Sequence, residues 1–322
     1  MSNAVTKPLR LREAPAHCSN KKDATKYDLV ESFLLDLKLR GMSKHTLIKY
    51  SSSMRIFERW LQDDLSAAGR DALREYVGVM RQEGLSHKTM CCRLTAMSSF
   101  YGFLEDEGLI DHNIIPYVIK KYLRSYKSIT TGETRQLISV QQASSLVNGI
   151  LSTRDRALLI LLLKTGMRVG EMASLELSDI DIDDLTLTLK PTPKRSNLTL
   201  FFDYETAGCL EDYLRIRGDG PGPLFLSRTY SRLNVSGIED MVKRHAQVAG
   251  LHNPASKKLK DRFTPHCCRH WFTTHLDRAG MKREYIQELR GDVHKEAIDI
   301  YIHIDPEKLK ESYLAHIPQL GV

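Results

Sequence analysis

Between Arg156 and Lys164 the chain carries seven uninterrupted apolar residues, Ala157 to Leu163. A helix that is apolar all round cannot present any face to water, so its surroundings must wrap it completely. Seven residues fall far short of the roughly 20 that a membrane-spanning helix needs. The cover therefore has to come from other helices and strands of the same chain. The second half of the sequence predicts a globular unit built around this central helix. Gly166 breaks it, and a new helix begins near Arg168.

The first half is patterned differently, as a succession of one-sided helices. From Tyr27 the residues Val30, Phe33, Leu34 and Leu37 share a face, and Gly41 ends the helix. Ser43 caps the next, with the stripe Leu47, Tyr50, Met54, Phe57 and Leu61. A third carries Leu73, Tyr76, Val77 and Met80 and stops at Gly84. Ser86 caps a fourth, with Met90, Leu94, Met97, Tyr101 and Leu104, which stops near Gly108. A weak repeat links two of these openings: Gly41-Met42-Ser43-Lys44-His45-Thr46 echoes Gly84-Leu85-Ser86-His87-Lys88-Thr89. Basic and hydroxyl groups at a helix N-terminus suit a phosphate backbone. A repeated cap with solvated charges would read the same.

These signals divide the chain into a polar tail (1–22), a helical domain (23–115), a basic linker (116–135) and a second domain (136–322). The linker carries Lys120, Lys121, Arg124 and Lys127, with Tyr117, Tyr122 and Tyr126 interleaved. In the second domain Ser139-x-x-Gln142 is a capping box. Asp179 to Asp184 holds four acids in six residues. It lacks the Gly and terminal Glu of a calcium loop and reads as a turn. An alternating strand, Leu185 to Leu189, runs into the turn Lys190–Asn197, and Leu198 to Phe202 returns. Helices are expected over Tyr204–Ile216 and Val235–Ala249. Lys257, Lys258 and Lys260 form a further basic run. From Pro306 a short helix with Leu309, Tyr313 and Leu314 leads to Ile317 and Leu320, an apolar tail that must dock on its own subunit or on a neighbour.

Two stretches carry chemistry. In Thr165-Gly166-Met167-Arg168-Val169-Gly170-Glu171 an Arg stands at a helix N-terminus, with Glu171 three residues on to fix its orientation. In Thr264-Pro265-His266-Cys267-Cys268-Arg269-His270 the Pro suits a first helical turn with Thr264 as N-cap, and His266 and Arg269 share a face. Either motif alone is an ordinary ion pair or surface decoration. Together they offer two permanent planar cations for a phosphate and a group that moves protons near neutral pH. A Tyr brought to that place can attack the phosphorus.

With Leu289-Arg290-Gly291-Asp292 and Tyr301 added in the right order and spacing, the chain resembles the tyrosine recombinase (phage-type integrase) family over roughly residues 25–318. The run Tyr301-Ile302-His303-Ile304-Asp305-Pro306-Glu307 after Gly-Asp is similar to archaeal integrases. The resemblance implies a mainly α fold with a small β-sheet (α+β): an N-terminal four-helix SAM-like core-binding domain, then a catalytic domain. It implies that Arg168 and Arg269 bind the scissile phosphate and that Tyr301 is the nucleophile, Tyr313 being the rival. His266 would act as acid/base and a hairpin lysine as acid for the leaving oxygen: Lys194, with Lys190 in reserve. Glu171 and His270 would support them. Lys44, His45, Thr46, His87, Lys88, Thr89, Lys120, Lys121, Arg124, Lys127, Lys257, Lys258 and Lys260 are the candidate DNA contacts. One departure stands out. The family usually has His or Trp where this chain has Asp292, and an ionised Asp only accepts hydrogen bonds. Three roles are open to it: donating as the protonated acid, orienting Arg269, or ceding the task to His294.

Composition agrees with a polyanionic partner, the net charge being +7. Of six cysteines, four form the adjacent pairs Cys91-Cys92 and Cys267-Cys268. Such pairs fit neither a disulfide framework nor a zinc site, so no metal is expected. The N-terminus has no apolar segment of a secretory signal, which places the chain in the cytoplasm, at the nucleoid. The implied activity is DNA strand transfer without metal, ATP or other cofactor. The implied partners are duplex DNA bearing inverted repeats and further copies of this chain, from dimer to tetramer. The competing readings are a non-catalytic DNA-binding relative and a type IB-like topoisomerase.

Overall fold

The computed structural model describes residues 29–123, 135–192, 195–256, 258–292 and 304–322. The chain divides into two units, with the boundary between Thr130 and Thr131.

The first unit contains α1 (Leu29–Leu39), α2 (Lys44–Leu61), α3 (Arg70–Gln82), α4 (His87–Asp106) and α5 (Ile115–Tyr122). The one-sided stripes become its core: Val30, Phe33 and Leu37 of α1 meet Met54 and Phe57 of α2, and Leu94, Met97 and Phe100 of α4. Phe33 meets Phe100 edge-on, with ring centroids 5.4 Å apart. The sequence repeat turns out to be one cap used twice. Ser43 (φ −63°, ψ 146°) and Ser86 (φ −62°, ψ 148°) are extended. Each hydroxyl accepts the N–H of the Thr three residues on, at 3.2 Å.

The expected linker needs correction. Its first eight residues belong to α5 and its end, inside the first unit. Pro116 sits in the first turn, where a missing N–H loses nothing. Ile115, Val118 and Leu123 are buried in the same core. Arg81 donates to the Tyr122 carbonyl at 2.8 Å, and the His87 ring stands 3.0 Å from the Leu123 carbonyl. The four helices expected are therefore five among the described residues. Exposed Lys120 and Lys121 on the outer face of α5 gave the stretch its linker-like composition. Arg124 and Lys127 lie outside the described residues.

In the second unit the apolar run lies in α7 (Thr153–Thr165), where every residue from Ala157 to Thr165 is buried. Around it stand α6 (Val140–Asn148), α8 (Val169–Ser174), α9 (Tyr204–Arg217), α10 (Val235–Val248), α11 (Pro265–Arg278), α12 (Arg283–Arg290) and α13 (Pro306–His316). The Ser139–Gln142 capping box opens α6. A three-stranded antiparallel sheet, β1 (Ile180–Asp181), β2 (Thr186–Thr188) and β3 (Thr199–Phe201), runs in that order with Leu187 opposite Leu200.

The C-terminal segment docks on this same unit. Tyr313 is fully buried, and its hydroxyl donates to the Lys164 carbonyl at 2.9 Å. The Lys164 ammonium, itself fully buried, donates to Asp203 Oδ2 (2.5 Å), Glu205 Oε2 (2.7 Å) and the Pro318 carbonyl (2.6 Å). Glu205 also accepts the N–H groups of Leu320 (2.8 Å) and Gly321 (2.5 Å). Burial pushes the Glu205 carboxyl up, but these bonds and the Lys164 charge outweigh it and hold the group below its usual range. A carboxyl so depressed stabilises the fold above its ordinary pKa and loses that contribution as pH falls through the folded value. Protection of the 319–322 amides against hydrogen exchange is thus expected to drop below pH ~4.3. In Glu205→Gln these amides should be poorly protected even at neutral pH, with no further drop in that acid window.

Candidate active site

Four segments of the second unit meet at one place: the α7–α8 junction, the first turns of α11, the end of α12, and Arg195 after the β2–β3 turn. Gly166 makes the first possible. It ends α7 in the left-handed region (φ 59°, ψ 17°), and a Cβ there would collide with the Phe272 ring. The chain then reverses through buried Met167, so that Arg168 becomes the N-cap of α8. Glu171 holds Arg168 twice: one carboxylate oxygen accepts its backbone N–H at 2.7 Å, the other its Nη1 at 3.1 Å.

Pro265 begins α11, whose N-cap position is Thr264. The hydroxyl does not cap, contrary to expectation; its Oγ1 lies 3.7 Å from Cys267 Sγ. His266 is exposed, Cys267 and Cys268 are buried in the apolar core, and the His270 ring stands 3.0 Å from Thr274 Oγ1. Arg269, only 8% exposed in its side chain, donates to the Gly166 carbonyl (2.8 Å), the Arg290 carbonyl (2.9 Å) and Asp292 Oδ1 (3.1 Å). Burial, then repulsion from Arg168 and Arg290, lowers its pKa to about 10, so it remains a cation at neutral pH.

Asp292 is where the arginines converge. Its Oδ1 lies 3.1 Å from Arg269 and 3.7 Å from Arg168, and its Oδ2 lies 3.1 Å from Arg290 Nε. Guanidiniums 101 positions apart in sequence thus share one oxygen, and the carboxylate acts as their common counter-ion. Of the three roles left open for Asp292, this geometry fits orientation of Arg269.

Arg195 carried no role in the sequence reading. Its side chain is fully buried. It donates to Glu171 Oε2 (3.1 Å), the Leu289 carbonyl (2.8 Å) and the Asn197 carbonyl (2.5 Å). It thereby ties the hairpin to the carboxylate that orients Arg168. Nothing local distinguishes it from its basic neighbour; only the tertiary contacts do. Arg290 had been seen only as part of a motif.

Other expected residues are placed as follows. Lys190 is bonded to Glu176 at 3.2 Å, a carboxylate also paired with Arg232. Tyr313 is core, as described above, which removes it as rival nucleophile. Lys44, His45, His87, Lys88 and Thr89 are exposed at the starts of α2 and α4, and Thr46 is half-buried there. The hydroxyls of Thr46 and Thr89 bond to their capping serines. Lys258 and Lys260 are exposed ahead of α11. Lys194, Lys257, His294 and Tyr301 lie outside the described residues.

Exposed though it is, His266 is held below its ordinary pKa by partial desolvation of its ring and then by Arg135, Arg269, His270 and Arg290. It is therefore neutral at physiological pH, able to accept a proton. The cradle as a whole, cationic and hydrogen-bonded from below, can hold a phosphoryl group.

Gly291 lets the end of α12 approach Arg195. It is left-handed (φ 59°), and a Cβ there would stand 2.5 Å from Arg195 Cγ and 2.8 Å from Nε. Gly291→Ala is expected to lower the melting temperature by an amount equivalent to more than about 1 kcal/mol. It should also weaken phosphate binding by displacing Arg195, whereas exposed, unobstructed Gly170→Ala should do neither.

Comparison with known proteins follows the same lines. Residues 127–308 match the model of the Phage integrase family, and residues 30–108 match the Phage integrase N-terminal SAM-like domain. Tyrosine recombinase XerC of Bacillus subtilis is 29% identical over 294 residues, spanning 87% of this chain and 92% of its own length. Tyrosine recombinase XerA of Pyrococcus furiosus is 26% identical over 291 residues, spanning 88% and 92%. A lambda integrase dimer bound to a COC′ core site superposes with a TM-score of 0.66 at 18% identity, covering 86% of this chain and 97% of that one. At that identity the likeness is one of fold.

Proposed function

Because the chain belongs to the phage integrase family, we propose that it is a site-specific tyrosine recombinase that cuts and rejoins duplex DNA through a 3′-phosphotyrosyl intermediate. The convergence of Arg168 and Arg269 on a single oxygen, Asp292 Oδ1, carries this reading. Two guanidiniums that converge on one acceptor are close enough to share a non-bridging phosphate oxygen beside it.

In the proposed reaction Tyr301 gives its proton to His266 and its phenol oxygen attacks the phosphorus. The bond to the 5′-oxygen breaks, and Lys194 protonates the leaving hydroxyl. Charge builds on the non-bridging oxygens in the transition state, where Arg168 and Arg269 stabilise it without having to reorganise, since Glu171, Gly166 and Arg290 already hold them. The 5′-hydroxyl of a partner duplex then gives its proton back to Lys194 and attacks the phosphotyrosyl ester, and the Tyr301 oxygen leaves with the proton held by His266. One ester is exchanged for another, so the cycle needs neither ATP nor a metal. The exposed bases on α2, α4 and α5 supply backbone contacts from the first unit, and Lys258 and Lys260 from the second. Strand exchange between two duplexes calls for copies of the chain on inverted half-sites, paired and then tetrameric, in the compartment that holds the DNA. No described helix is long and apolar enough to cross a membrane.

Two experiments test the reading. The protein is mixed with a library of nicked duplexes, and DNA that stays bound in detergent is recovered and sequenced. Wild type and Tyr313→Phe should each yield the same covalent adduct, Tyr313→Phe at lower thermal stability. Tyr301→Phe should yield none, and an adduct from it would end the assignment. On a duplex so recovered, the apparent second-order rate of adduct formation should fall as pH drops below 6.5, through the depressed pKa of His266. His266→Gln should be slow at every pH and lack this acid limb.

A further inference from the structure

Asp292 sets a problem of charge. The seat for the phosphate holds a carboxylate that is hydrogen-bonded to Arg269 and paired at 3.7 Å with Arg168, the two guanidiniums that would receive the anion. Alone with them it would cancel one of their two charges. The diester entering the site carries one negative charge, and the five-coordinate transition state carries two. A seat with a single net positive charge would suit the ground state better than the transition state, which is the wrong way round for catalysis.

Arg290 removes this difficulty. It closes α12 two residues before Asp292, and its Nε lies 3.1 Å from Asp292 Oδ2, the oxygen turned away from Arg168 and Arg269. That contact is an ion pair by distance, without an aligned N–H, and the Nε is buried. The backbone carbonyl of Arg290 meanwhile accepts from Arg269 and from Arg195. The other buried ion pair beneath the seat, Arg195 with Glu171, is balanced in itself. Counting Arg168, Arg269 and Arg290 against Asp292 leaves two positive charges, equal and opposite to those of the transition state.

We propose that Arg290 is a positioning residue of the phosphate seat: it neutralises Asp292, so that Arg168 and Arg269 keep their full charge for the scissile phosphate. The inference rests on the recombinase reading and deepens it. Arg290 and Asp292 act as a pair whose worth is electrostatic, so the loss of one should be offset by neutralising the other.

The test is a double-substitution cycle on the full-length chain, read as the single-turnover rate of covalent adduct formation on a duplex recovered by the capture described above. Arg290→Gln is expected to slow adduct formation by about 10²-fold. Adding Asp292→Asn should recover about tenfold or more of that loss. Arg290→Lys, which keeps the charge, should stay close to wild type. Thermal melting of each variant is measured alongside, and in a chain where Arg290 merely ends a helix, Asp292→Asn would rescue nothing. Should Arg290→Gln fail to fold, the neutral methylphosphonate at the scissile position takes its place. On that substrate, which needs less positive charge, Asp292→Asn should differ from wild type less than on the natural phosphate. Undiminished activity in Arg290→Gln, a loss that Asp292→Asn does not repair, or an unchanged difference on the methylphosphonate overturns the inference alone. If the wild-type protein forms no adduct with any duplex, the recombinase reading falls, and this inference with it.

Discussion

Arg269 governs the architecture of the site because a buried guanidinium cannot be left with empty donors. Burying an unpaired charge costs several kcal/mol, and this side chain is nearly sealed from water. Its partners come from three directions: the carbonyl that ends α7, the carbonyl that ends α12, and the Asp292 carboxylate. Helix C-termini carry unsatisfied carbonyls and the negative end of the dipole, so they suit a cation. One side chain on α11 thus fixes the ends of two other helices, and wherever those ends lie, the cluster of guanidiniums lies too.

Arg195 applies the same solution one layer down. It fills the α12 carbonyls that Arg269 does not use alone and presents its remaining donor to Glu171, which in turn orients Arg168. The hairpin that bears the candidate lysine is thereby coupled to both arginines of the seat. The two left-handed glycines follow from this crowding: Gly166 yields to the Phe272 ring and Gly291 to the Arg195 side chain, and each position also needs a backbone conformation that other residues adopt at a cost. The lattice of charges is assembled before any ligand arrives. In the proposed reaction its stabilising power would therefore be available without rearrangement.

Much of the fold was legible because it is local. Helical stripes such as Phe33–Leu37 and Leu94–Met97–Tyr101 repeat with the period of the helix, and Ser43 and Ser86 cap through bonds that span three residues. The apolar run in α7 announced its own burial. Misreading began where composition and packing disagree. In α5 the outward lysines outweighed Ile115 and Val118 in a helix of only eight residues, so a packed helix read as a linker. Thr264 has the right residue type for a cap, yet its backbone (φ −145°, ψ 167°) leaves its hydroxyl beside a sulfur. Tyr313 was the rival nucleophile because it too lies near the C-terminus, and its place in an apolar helix stripe matches its full burial in the core.

The sequence by itself determined the helical class and the order of the motifs, and it singled out Arg168, Glu171, His266 and Arg269 as candidates, since each rests on residue type and short spacing. The tertiary structure alone decided that Arg195 is buried beneath the seat, that Arg290 faces Asp292, and that the C-terminal tail closes over Lys164. The first and third depend on contacts such as Arg195 to Glu171 and Lys164 to Pro318, across 24 and 154 residues, and the second on how Arg195 and Arg269 hold the end of α12. An arginine looks the same in sequence whether it faces water or three carbonyls; what distinguishes the two cases is desolvation, and desolvation exists only once the chain has folded around it.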